Sequence, residues 1–86
     1  MTQEEANIVI VGAYTYLKTT LASSGLTSDK ITNPRVEEME KIESGNYKIT
    51  LSYEVVGDFV FDKKKEFKDF EVKPDGTVLS MKIRKV

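Results

Sequence analysis

The sequence predicts an α+β fold in which one N-terminal helix packs on a four-stranded antiparallel meander. Three observations carry that prediction. Apolar residues recur at helical spacing from Ile10 to Leu21, and a period of two takes over after Asn33-Pro34. Two glycine-bearing turn segments, Gly45-Asn46 and Pro74-Asp75-Gly76-Thr77, then divide the rest of the chain into hairpins.

The helix is expected over residues 3–24. Thr2 followed three positions later by Glu5 makes a capping box, in which the hydroxyl accepts from a free backbone N–H and the carboxylate reaches back. Ser24-Gly25-Leu26 fits a left-handed stop, with Leu26 folding onto Leu21. Ile10, Ala13 or Tyr14, Leu17 and Leu21 form the apolar face between these ends. Ile8, Val9 and Val11 fall outside that face and leave apolar surface to spare. Either the sheet curls around the helix or a second copy covers the surplus, and the sequence favours a symmetric homodimer through these three residues. The run Asn7-Ile8-Val9-Ile10-Val11-Gly12 also looks like the opening strand of a dinucleotide-binding unit. That reading fails for want of further glycines, because Ala13-Tyr14-Thr15-Tyr16-Leu17 follows.

Four strands are expected over residues 35–43, 46–56, 64–73 and 78–85. The second is the plainest: Tyr47, Ile49, Leu51, Tyr53 and Val55 alternate with Lys48, Thr50, Ser52 and Glu54. A two-residue turn at Gly45-Asn46 would set Ile42 opposite Ile49 and Val36 opposite Val55. It would also turn Met39 outward unless a bulge near Glu40-Lys41 brought it back. Val36, Met39 and Ile42 equally suit one side of a short helix. In the last hairpin, a four-residue loop pairs Val72 with Leu79 and Phe70 with Met81. A three-residue loop pairs Val72 with Val78 and Phe70 with Ser80. Burial favours the four-residue loop, since a slip of one residue turns a strand inside out.

Composition narrows the function. The 86 residues include no histidine, cysteine or tryptophan, and 13 bases nearly balance 14 acids. Most side chains that carry catalysis or bind transition metals are therefore missing, and no Ser–Lys or carboxylate spacing singles out a catalytic pair. We expect no enzyme and no cofactor. A net charge of −1 offers no general attraction to nucleic acid. No apolar run approaches the roughly 20 residues of a membrane span, and residues 1–86 suffice for a single small domain. Glu4 and Glu5 stand where a signal peptide would be basic, which favours the cytoplasm, although a trimmed export signal would leave the same sequence.

Across Arg35-Val36-Glu37-Glu38-Met39-Glu40, Gly45 to Val55 and Phe70 to Leu79, the chain resembles the PepSY and PepSY-like domains. The resemblance covers roughly residues 35–86 and rests on generic hairpin chemistry. It implies a helix with an antiparallel sheet and a regulatory contact with another protein, as proposed for such domains toward peptidases. The helix-on-sheet topology is also similar to that of cystatins. Glu54-Val55-Val56-Gly57-Asp58 is similar to their Gln-Val-Val-Ala-Gly hairpin, with Glu54 in place of the glutamine and no tryptophan to complete the inhibitory wedge.

The strongest candidate contact site is Gly57, Phe59, Val60 and Phe61. An apolar run at a hairpin tip marks a contact surface. The competing reading, which the alternation of aromatics favours, continues the second strand through a bulge at Gly57 and buries Phe59 and Phe61. Glu37, Glu38, Glu40 and Glu43 lack the turning loop and carbonyls of a calcium site and read as a solvated strand face. Lys63, Lys64, Lys65, Lys82, Arg84 and Lys85 read as edge charges that discourage aggregation. The expected role is a small non-enzymatic protein-binding or regulatory module. A structural homodimeric subunit, or a small-ligand carrier with a cleft between helix and sheet, are the alternatives.

Overall fold

A computed structural model describes residues 3–23, 25, 30–57 and 63–84. Helix α1 spans Gln3–Ser23, and four strands follow: β1 Ile31–Lys41, β2 Tyr47–Val56, β3 Lys63–Val72 and β4 Val78–Arg84. The strands pair in chain order β1-β2-β3-β4, antiparallel throughout. The chain is therefore the predicted α+β meander, with α1 lying over β2, β3 and β4.

Gly25 ends the helix as expected: its φ is +94° and its N–H donates to the Ala22 carbonyl. Thr2, Ser24 and Leu26, the other parts of the proposed caps, lie outside the described residues.

The helix face differs from the predicted one by a rotation. Val9, Ala13 and Leu17, spaced four apart, are fully buried, and Ile10, Tyr14 and Leu21 flank them. Val9 is thus a core residue with 0% exposure and cannot belong to a self-association patch. Ile8 and Val11 remain outside, at 43% and 62% exposure. The cause is a backbone contact that no periodicity reveals. Gly12 lies on Gly76 in the β3–β4 turn so closely that a Cβ on Gly12 would come within 2.9 Å of the Gly76 Cα. That contact sets how the helix is rolled on the sheet.

Both hairpins turn through the same three-residue loop. In the first, Ile42 N–H donates to the Asn46 carbonyl and Gly45 N–H to the Ile42 carbonyl, with Gly45 at φ +90°. In the second, Lys73, Thr77 and Gly76 repeat the pattern, with Gly76 at φ +95°. A type I turn followed by a left-handed glycine has this geometry. It corrects the two-residue turn expected at Gly45-Asn46. Met39 pairs with Ile49 and Val36 with Leu51, so Met39 faces the core without any bulge at Glu40-Lys41. The register does shift, but further along, at Glu37 and at Asn33-Pro34. There β1 continues back to Ile31, because on an edge strand Pro34 needs no ladder donor and Asn33 tolerates φ +51°.

In the second hairpin both competing registers occur, one after the other. Val72 pairs with Val78, as a three-residue loop requires. A bulge then shifts the ladder so that Phe70 meets Met81, as burial requires. The expected pairing of Val72 with Leu79 is absent, and Leu79 is the extra residue.

Tyr47, Ile49, Leu51 and Tyr53 of β2, with Phe70 and Val72 of β3, form the core face beneath α1. Two phenols there end on carboxylates: the Tyr47 hydroxyl donates to Glu5 Oε1 of the helix, and the Tyr53 hydroxyl to Glu66 Oε1 at 2.8 Å.

Candidate functional site

Among the described residues, none forms a second layer on the face of the sheet turned away from α1. β2 places Lys48, Thr50 and Ser52 there, β3 Phe67, Asp69 and Glu71, β1 Glu38 and Glu40, and β4 Ser80, Lys82 and Arg84. All of these except Ser52 and Phe67 line an open hollow of about 700 Å³.

Four side chains, one per strand, form its centre. Thr50 Oγ1 donates to Asp69 Oδ1 at 2.6 Å, and Arg84 Nε donates to Asp69 Oδ2 at 3.0 Å. The same guanidinium reaches to within 3.6 Å of Glu38 on the far edge strand. Arg84 therefore bridges from β4 to β1, and Asp69 with Glu38 holds its pKa above the ordinary value. Thr50 and Ser52 are almost wholly buried on this side, covered by the charged side chains around them. On this face the row stands where an apolar layer would pack: each of its four side chains is hydrogen-bonded or ion-paired to a neighbour in it.

A second cluster lies beside the first. Ser52 Oγ donates to Glu37 Oε1 at 2.6 Å, and Lys65 Nζ stands 3.9 Å from the same oxygen. The Ser52 hydrogen bond, aided by Lys65 and Arg35, holds the Glu37 carboxyl below its usual range. A carboxylate so stabilised is a weaker base than normal, so the pair is poorly set to activate the serine as a nucleophile. At the turn end, Asn46 Nδ2 donates to Glu71 Oε2 at 3.0 Å and ties the first hairpin loop to β3.

The residues singled out from sequence are scattered. Gly57 is half-buried just past β2, whose ladder with β3 runs without irregularity from Tyr47–Val72 to Val56–Lys63. Phe59, Val60 and Phe61 lie outside the described residues. Glu37, Glu38 and Glu40 sit on β1 and Glu43 in the first turn. Among the described residues no three acidic side chains come together in a way that would hold a metal ion. Lys63, Lys64, Lys65 and Lys82 are exposed, and Lys85 lies outside the described residues. The Glu38–Thr50–Asp69–Arg84 row was not anticipated, because it exists only once the register of all four strands is known.

Comparison with protein-family models, with curated proteins and with solved structures finds no match. Among the described residues, no helix is long and apolar enough to cross a membrane.

Proposed function

We propose that the chain is a small protein-binding or regulatory module that acts without catalysis and uses the helix-free face of its sheet as the contact surface. The observation that carries this reading is the open hollow lined from all four strands, with exposed Lys48, Ser80 and Lys82 around the paired Thr50–Asp69–Arg84 centre. A sheet presenting paired polar groups at its middle and exposed charges at its margin suits a polar protein surface. The resemblance to PepSY-like domains agrees with a regulatory contact of this kind.

A photo-crosslinker placed at Lys48 in the native cell should give a discrete adduct of higher mass. The same group at Thr19, on the exposed side of α1, should give none. Equal yields from both positions, or none from Lys48, would overturn the reading. A second reading, a structural homodimer, is favoured by the exposed Ile8 and Val11 on α1. An adduct of twice the chain's own mass, formed from Val11, would select it.

A further inference from the structure

Among the described residues no strand pairs with the outer edge of β1 or of β4, and these two edges carry opposite charge on one face and apolar side chains on the other. β1 presents Glu38 and Glu40 on the helix-free face and Met39 on the core face. β4 presents Lys82 and Arg84 on the helix-free face and Ile83 on the core face. Ile83 is 72% exposed, the most of any large apolar side chain described. Neither Glu40 nor Lys82 has an ion-pair partner among the described residues.

We propose that β4 of one copy adds antiparallel to β1 of another, so that the occupant of this edge is a second copy of the chain. Strand direction alternates through β1-β2-β3-β4, so the next β1 in the row is antiparallel to β4 when both helices stay on the same side of the joined sheet. With Lys82 opposite Glu40, the antiparallel register sets Arg84 opposite Glu38 and Ile83 opposite Met39. Lys82 and Glu40 then meet on one face, beside the Arg84–Glu38 charges that each copy already pairs within itself, and apolar groups meet on the other, as stable cross-strand pairs require. The parity is decisive, because a slip of one residue would put Ile83 against a carboxylate.

The same charges select the partner edge. Two β4 edges would bring basic residues together and two β1 edges acidic ones, so each edge repels its own kind. Bulges at Asn33-Pro34 and Glu37 limit the regular part of β1 to Glu38–Lys41, which keeps the pairing short and the association reversible. The contact joins unlike surfaces, so copies add in a row rather than closing as a two-fold dimer.

Sedimentation of the wild type, Lys82→Glu, Glu40→Lys and an equimolar mixture of the two variants tests the proposal. The wild type should associate with rising concentration, and more weakly in high salt. Each variant alone should associate at least tenfold more weakly, since its own two edges then carry like charge at this pair. The mixture should recover association, because every junction between unlike variants restores an opposite pair. Ile83→Lys, at a site too exposed to threaten folding, should abolish association. A wild type monomeric at every concentration would overturn the proposal, as would a Glu40→Lys variant that associates like the wild type or an Ile83→Lys variant that still does.

Discussion

At Gly12 a hydrogen in place of a side chain decides how the helix meets the sheet. A methyl group there would overlap the backbone of Gly76, and the turn behind it is held by hydrogen bonds from Gly76 and Lys73 and cannot simply yield. Gly12→Ala should cost about 1–3 kcal/mol, as overpacking does, and thermal melts will show it. Leu51, at 4% exposure near the middle of β2, should cost roughly 2–5 kcal/mol on truncation to alanine. A loss no greater than that of Lys48→Ala, at an exposed position on the opposite face of β2, would mean that the faces are reversed. Tyr53 makes a pH prediction. Burial, with its hydrogen bond to Glu66, raises the phenol well above its ordinary value of 10.0. The neutral form is the one the fold favours, so this contribution is complete below pH 10 and is lost as pH rises toward the raised value. Tyr53→Phe should flatten the alkaline limb of the stability curve; an unchanged limb would contradict the assignment. Leu51 and Tyr53 were legible as core from alternation alone. Val9 was not, because the roll of the helix depends on a contact between Gly12 and a turn some sixty residues away in the chain.

The hairpins show where sequence stops determining register. Period-two alternation located β2 most plainly and the turn signals placed β3 and β4, whereas β1 equally suited a helical reading and begins four residues earlier than expected; Gly25 marked the end of α1 within one residue. Alternation could not say which residue of each loop would be the left-handed one. Gly45 and Gly76 take that position in both turns, and each choice shifts its neighbours. The bulge at Leu79 then repairs the second hairpin, so a strand that began in one register finishes in the other. Gly25→Val should destabilise the helix end by about 1–2 kcal/mol, because a β-branched side chain resists φ +94°. At the second turn Asp75 Oδ1 accepts from Thr77 N–H at 2.9 Å, and that bond holds the carboxyl below its usual range. Its contribution is therefore present above the ordinary carboxylate pKa and is lost as pH falls through the depressed one. The Thr77 amide resonance should titrate with Asp75 in acid, and in Asp75→Asn, which keeps the acceptor, that titration should vanish.

The molecule as a whole is a single helix on a four-stranded sheet, with one face filled and the other built from paired charges. Its fold class was readable because a helical period early in the chain gives way to a period of two, although β1 begins at Ile31, ahead of the Asn33-Pro34 step that marks the change in the sequence. The Glu38–Thr50–Asp69–Arg84 row was hidden, because those residues stand far apart in sequence and meet only through three successive registers. The helix-free face is what sets this protein apart from a closed two-layer domain, and its use as a contact surface is the central claim. Amide and methyl NMR shifts, recorded while the partner captured through Lys48 is titrated in, test that claim most directly. The account predicts changes concentrated at Lys48, Asp69, Ser80 and Lys82, with Thr15 and Thr19 on the far side of α1 unmoved. Changes centred on the helix, with the sheet face silent, would contradict it.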